Sequence, residues 1–272
     1  MEEETTIIMQ ALSTLTPPTL SNLTYTILSL THRHHHRLSS LLSSSSLFSL
    51  TLHHLHSLSF PHKTLLIARY LLFSLHHLTL HFQPLTVPLL HPSTTLNNRD
   101  LDSVLLLFLL CETHQHDPDF LQTPFAEWRG ILNKHRSDTM LTLAGIGVYN
   151  GGVLIPYVEM VSRCWKFIGA MDCGGKEGRE VAATTEAMVA LPSMEVRGGG
   201  VECVICKEEM SEGRDVCEFP CEHLFHWICI LPWLKKRNTC PCCRFQLPTD
   251  DVFGEIQRLW RVLIKVAGRC FD

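Results

Sequence analysis

The chain has 272 residues, enough for one or two domains, and its 45% apolar and 18% charged content excludes a disordered acidic or basic tail protein. The net charge of −4 argues against non-specific nucleic-acid binding, which needs an excess of Lys and Arg. Twelve cysteines would suit a secreted disulfide scaffold, but Met1-Glu2-Glu3-Glu4 lacks the basic and apolar parts of a secretory leader, so a reducing compartment is expected.

After Glu4 no acidic residue occurs until Asp100, and twelve of the seventeen histidines lie in that stretch. Residues 5–92 read mainly as helix. Leu20, Leu23, Ile27 and Leu30 recur at three- and four-residue steps behind Pro17-Pro18-Thr19, a plausible helix start. Lys63–Phe82 is apolar around most of its girth and must be buried. Arg69, His76, His77 and His81, with Pro84 and Pro88 beyond, argue against its spanning a bilayer. Asp100–Cys111 is a short buried helix. Thr139–Val158 is the remaining membrane candidate, but Gly145, Gly147, Gly151, Gly152 and Pro156 suit a turn better. Val153–Met171 reads as a further helix, with Ile155, Val158, Val161 and Trp165 on one side.

The expected architecture is therefore mainly α. A helical N-terminal region, residues 1–172, contains a bundle from about residue 15 onward. A flexible linker, residues 173–200, opens with Gly174-Gly175, holds a short helix at Glu180–Leu191 and closes with Gly198-Gly199-Gly200. Residues 201–250 form a small metal module. Residues 251–272 carry an amphipathic helix, Asp251–Ala267, with Val252, Ile256, Leu259, Trp260 and Leu263 on one stripe and Arg258, Arg261 and Lys265 as exposed cations. The cluster His32, His34, His35 and His36, and the pair His77 and His81, read as a weakly basic surface, since no carboxylate or thiol completes a metal site.

Chemistry concentrates between Cys203 and Cys243, where eight of the twelve cysteines fall. Cys203 and Cys206 form a two-residue-spaced pair. Cys221 and His223 follow, then His226 and Cys229, then Cys240 and Cys243 at the first pair's spacing. Six thiolates and two imidazoles make two complete four-coordinate sets, the donor set of structural zinc with no open position for water. The 41 residues from Cys203 to Cys243 lie near the size at which a core alone rarely supports folding. Bound zinc contributes on the order of 10–16 kcal/mol in comparable peptides. Cys242, beside a ligand, is a competitor for the second zinc, although the two-residue gap from Cys240 favours Cys243. Cys217 is a spare thiol, read as structural.

This spacing resembles the RING family in its two-histidine RING-H2 form, over about residues 202–250. The resemblance implies a small cross-braced, ββα-like domain. One of its two structural zinc ions would take Cys203, Cys206, His226 and Cys229, and the other Cys221, His223, Cys240 and Cys243. It further implies a ubiquitin ligase without a nucleophile of its own, which holds a ubiquitin-charged conjugating enzyme in a reactive geometry near a substrate lysine. Ile205, Trp233 and Pro241 match the apolar patch that receives the conjugating enzyme, and Arg244 matches the linchpin arginine, whose planar fork donates several hydrogen bonds at once. An adaptor whose RING has lost transfer activity is the alternative, and a membrane-spanning ligase using Thr139–Val158 is a third possibility. Nucleic acid is not an expected partner: residues 201–250 hold eight acidic and six basic side chains.

Beyond this module, Thr5–Met9, Pro61–Ala68, Arg99–Asp102, Cys111–Gln115 and Val201–Trp260 resemble a plant branch of the same family. That resemblance implies association with starch-storing plastids, the amyloplasts, and a role in gravitropism. Charged conjugating enzymes work in the cytosol, so the RING is expected to face it, with an organelle-surface partner or the helical region providing attachment.

Overall fold

The computed structural model describes residues 2–82, 96–135, 153–171, 180–196, 200–211 and 215–268. The turn or membrane candidate at residues 139–152 and the glycine runs at 174–178 and 198–199 lie outside the described residues. Two units divide the chain. One comprises Met1–His81, Thr95–Cys173 and Leu263–Asp272, and the other Phe82–Thr94 and Gly174–Val262.

Seven α-helices build the first unit among the described residues: α1 (Glu2–Ser13), α2 (Pro17–Ser43), α3 (Ser45–Ser57), α4 (Phe60–Thr79), α5 (Asn98–His116), α6 (Phe125–His135) and α7 (Leu154–Ala170). Helix α2 begins with proline, which needs no donor in a first turn and carries the φ a helix requires. Its buried residues Leu23, Ile27, Leu30, His34, Leu38 and Leu41 recur at three- and four-residue steps. Ser44 separates α2 from α3, its hydroxyl accepting from the Leu47 N–H at 3.4 Å. Asn97 caps α5 in the same way, Oδ1 accepting from the Asp100 N–H at 2.7 Å.

Helix α4 is the centre of the bundle. Leu71, Leu72, Leu75 and Leu78 have no exposed surface, and α7 and α5 pack against the helix. With the following 3₁₀ turn, Phe60–Phe82 is long and apolar enough to cross a membrane, and half of it is buried, as in a core helix. Helix α1 also packs on α7, with Ile8, Ala11 and Leu12 buried. The bundle thus begins about a dozen residues before its expected start near residue 15, because a three-residue apolar contact set is too short a signal in sequence. Ion pairs fix the helices laterally: Arg37 reaches both Asp102 oxygens at 2.9 Å, and Lys166 meets Glu4 at 3.0 Å.

His34 departs from the reading of a basic surface. It is buried, its Nδ1 lies 3.4 Å from Tyr70 Oη, and burial, aided by the nearby Arg33 cation, pushes its pKa down to about 4. It is a neutral core residue. His77, with Nδ1 2.8 Å from the Phe73 carbonyl, is also shifted down by burial.

The second unit contains α8 (Thr185–Val189), β1 (Ser193–Glu195), β2 (Asp215–Glu218), β3 (Leu224–His226), α9 (Trp227–Leu234) and most of α10 (Val252–Gly268). The three strands form an antiparallel sheet in chain order. Met194 pairs with Val216, and Cys217 with Phe225. The core is Val216, Cys217, Phe219, Phe225, Ile230, Leu234 and Leu247, joined by Ala183, Ala187, Leu191 and Val196. Residues 180–196, read from sequence as linker with a short helix, are therefore built into this unit. The Ala183 N–H donates to the Leu234 carbonyl at 2.9 Å, the Asn238 N–H to the Val181 carbonyl at 2.7 Å, and Trp227 Nε1–H to Ser193 Oγ at 3.0 Å. Cys217 is fully buried, and burial pushes its thiol up to about 12, fitting a structural role.

Helix α10 opens on Asp251, whose Oδ1 accepts from the Gly254 N–H at 2.8 Å. A Cβ at Gly254 would lie 3.2 Å from that oxygen. Ile256, Leu259 and Trp260 are buried as the stripe predicts. Arg258, expected as an exposed cation, is instead only 8% exposed. It makes two hydrogen bonds to Glu255, at 2.8 and 2.6 Å; a buried guanidinium needs such a paired carboxylate.

Candidate metal centres and the surface beside them

Two loops of the second unit repeat one backbone geometry. In the first, the Lys207 N–H donates to the Cys203 carbonyl at 2.7 Å and the Cys203 N–H to the Glu208 carbonyl at 2.9 Å. In the second, Arg244 donates to Cys240 at 3.0 Å and Cys240 to Phe245 at 2.8 Å. Isolated bridges Glu202–Glu209 and Thr239–Gln246 close the two loops. Lys207 and Arg244, the residues after the second cysteine of each loop, have φ of 63° and 60°. This left-handed region is costly for a residue with a Cβ. The tight turn is what directs both cysteines of each loop to the same point. No internal repeat is evident in the sequence; the shared signal is only the two-residue gap between cysteines.

The β2–β3 hairpin supplies the other four side chains. Cys221 and His223 lie in its turn, where Glu222 has φ of 65°. His226 ends β3, and Cys229 sits in the first turn of α9. The hairpin register, Val216 opposite His226, puts the turn and the strand end at opposite ends of a short ribbon. The eight residues consequently gather as two groups, Cys203, Cys206, His226 and Cys229, and Cys221, His223, Cys240 and Cys243. Pairs alternate between the groups along the chain. Within each group all four ligand atoms lie within 4.8 Å of one another. Cys242 is exposed and belongs to neither.

The donor sets fit zinc. Tetrahedral coordination at ordinary Zn–S and Zn–N lengths puts sulfur and nitrogen about 3.6 Å apart. His226 Nδ1 lies 3.4 Å from Cys206 Sγ, and His223 Nδ1 lies 3.3 Å from Cys221 Sγ. Burial opposes the Cys203 thiolate, but the backbone N–H groups of Cys206, His226 and Ile205 outweigh it and bring its pKa down to about 7. The domain thus holds two Cys/His clusters that can each bind a zinc ion. Among the described residues no histidine of residues 32–36, 77 or 81 takes part in such a group.

The four remaining residues singled out in the sequence lie on this scaffold. Ile205 and Trp233 are partly buried and pack against the core. Trp233 Nε1–H donates to the Thr239 carbonyl at 2.7 Å, tying the indole to the second loop. Pro241 is half-buried within that loop, and Arg244 is exposed at its end. Two features were not read from sequence. The Arg237 guanidinium lies 5.0 Å from the Trp233 ring centroid and pairs with Glu180 at 2.8 Å, so the segment before the metal module reaches the tryptophan through a cation–π contact. Ile228 and Leu231 of α9 are 81% and 37% exposed; their signal was a short helix apolar around its whole circumference.

Residues 201–244 match the Ring finger domain family. The chain is 53% identical to the E3 ubiquitin-protein ligase SGR9, amyloplastic, of Arabidopsis thaliana, over 97% of both chains. It is 47% identical to the E3 ubiquitin-protein ligase RNF181 homolog of Drosophila melanogaster, over 28% of this chain and 55% of the relative. The corresponding values for RNF181 of Danio rerio are 52%, 23% and 40%. No solved structure matches the chain. Full-length similarity to one ligase, the matching Ring finger region and the two interleaved Cys/His clusters agree: the chain belongs to the RING-type E3 ubiquitin-protein ligases, which are ubiquitin transferases.

Proposed function

We propose that residues 201–250 dock a ubiquitin-charged conjugating enzyme on Ile205, Trp233 and Pro241, with Arg244 as the linchpin that holds the thioester-linked ubiquitin for attack by a substrate lysine. One observation supports this reading: partly buried Ile205, Trp233 and Pro241 and exposed Arg244 all sit on the two cysteine loops and α9, the elements that also carry the two Cys/His clusters. Bound zinc supplies rigidity only, through Cys203, Cys206, His226 and Cys229 at one site and Cys221, His223, Cys240 and Cys243 at the other. Rate enhancement comes from positioning, and the chain contributes no covalent intermediate. Arg244, exposed and in left-handed backbone, projects from the loop end; its planar fork can donate to two acceptors at once. Residues 1–172, which carry α1–α7, select the substrate or the location. The amyloplastic designation of the full-length relative supports work at the cytosolic face of a starch-storing plastid, in gravitropism.

Reconstituted self-ubiquitination tests the transfer reading. Wild type is expected to build ubiquitin conjugates with at least one of several conjugating enzymes, and Trp233→Ala and Arg244→Ala to lose at least about tenfold in rate, as interface hot spots do. A wild type as inert as both variants would instead identify an adaptor. Protease treatment of intact plastids tests the location: digestion of the RING supports a cytosol-facing site, and protection overturns it.

A further inference from the structure

The helical unit contains a cavity of about 460 Å³ between α2, α4, α5 and α7. That volume is in the range that holds small organic ligands, whereas a close-packed bundle leaves few voids larger than a water molecule. The lining is graded. Along α4, Phe60 is 60% exposed, Lys63 is half-buried, and Ile67 and Tyr70 are buried. Along α5, Leu109 is buried, Leu107, Phe108 and Glu112 are half-buried, and Cys111 and Gln115 are exposed. Along α4 the lining therefore leads from an open rim to a closed floor.

The walls are apolar, formed by Ile67, Leu107, Phe108, Met160 and Phe167. At the floor, His34 is neutral at cellular pH, and the Tyr157 hydroxyl is buried. The charged side chains of the lining are Lys63, Arg163 and Glu112. Arg163 is paired with Glu112 at 3.3 Å, whereas Lys63 has no carboxylate partner among the described residues. The rim thus carries one net positive charge above an uncharged, mostly apolar interior.

We propose that this cavity binds a hydrophobic monocarboxylate of the fatty-acid class, its carboxylate held at Lys63 and its hydrocarbon body lying between α4, α5 and α7. Lys63, unpaired among the described residues, matches one carboxylate, and Glu112 at the same rim disfavours a second negative charge on the ligand. No residue of the lining belongs to either Cys/His cluster.

The test titrates the full-length, zinc-loaded chain with cis-parinaric acid, a fluorescent C18 fatty acid, and competes it with palmitate or with uncharged hexadecanol. The expected result is saturable one-to-one binding, displaced by palmitate and about tenfold less well by hexadecanol, the loss of one charge-assisted contact. Met160→Trp fills the cavity and is expected to abolish binding. Lys63→Glu leaves the core intact and is expected to weaken binding at least about tenfold, with an unchanged circular dichroism spectrum. Phosphatidylcholine vesicles loaded with palmitate distinguish the source. Transfer of the acid to soluble wild type but not to Met160→Trp supports the site with a bilayer as supplier. Vesicle association that persists in both variants without uptake of free acid overturns it, as does absent binding or equal binding by wild type and both variants.

Discussion

The two units are held together differently. In the helical unit, long helices carry apolar residues at helical spacing, and α4 alone places four leucines out of contact with water. In the RING unit the strands are three or four residues long, and the core borrows Ala183, Ala187, Leu191 and Val196 from the segment before the first cysteine. The polar groups at the centre also differ: the helical unit buries a neutral His34, while the RING unit gathers six thiols and two imidazoles. A unit with enough apolar surface folds on burial alone, whereas a small one must add metal bonds and recruit neighbouring chain.

Zinc removal should separate the units most sharply. A strong chelator is expected to remove two zinc ions and unfold residues 180–250, a loss on the order of 10 kcal/mol or more. Most of the far-ultraviolet helical signal should remain, since it comes from α1–α7. Loss of both units in one transition would break the comparison.

Leu191→Ala asks whether the recruited segment matters beside the metal. It is expected to lower the stability of the zinc-loaded RING unit by about 2–5 kcal/mol, as for other buried leucines. Hydrogen exchange at α4 should not change. If RING protection is also unaffected, residues 180–196 are only an attached linker.

Acid should single out the helical unit through His34. Its folded pKa, about 4, lies below the ordinary value of 6.5. The unfolded chain therefore takes up the proton first, and stability present above pH 6.5 falls as pH drops towards 4, by about 3 kcal/mol in all. His34→Gln should flatten that dependence in α2 and α4, read by hydrogen exchange between pH 6.5 and 4. An unchanged slope would show that His34 is charged in the folded chain.

The smallest effect tests the loop geometry. Lys207→Gly relieves a positive φ and should stabilise the RING unit by about 1 kcal/mol without lowering transfer. Arg244→Gly relieves the same strain yet should lose transfer. If both variants transfer equally, the two loops are equivalent and Arg244 has no special role.

Much of this molecule was legible in its sequence. Cys203, Cys206, Cys221, His223, His226, Cys229, Cys240 and Cys243 are readable as ligands because metal chemistry is carried by residue type and short spacing. Helices α2, α7 and α10 are readable because a 3.6-residue period is local, and α4 and α5 because a continuous apolar run is local too. Spacing alone does not say which pairs come together; the β2–β3 register and the two left-handed turns decide that. Tertiary packing likewise decided that His34 and Arg258 are buried, that residues 180–196 belong to the RING unit, and that a cavity remains among four helices. These depend on neighbours distant in sequence, and a side chain's surroundings cannot be read from its own periodicity.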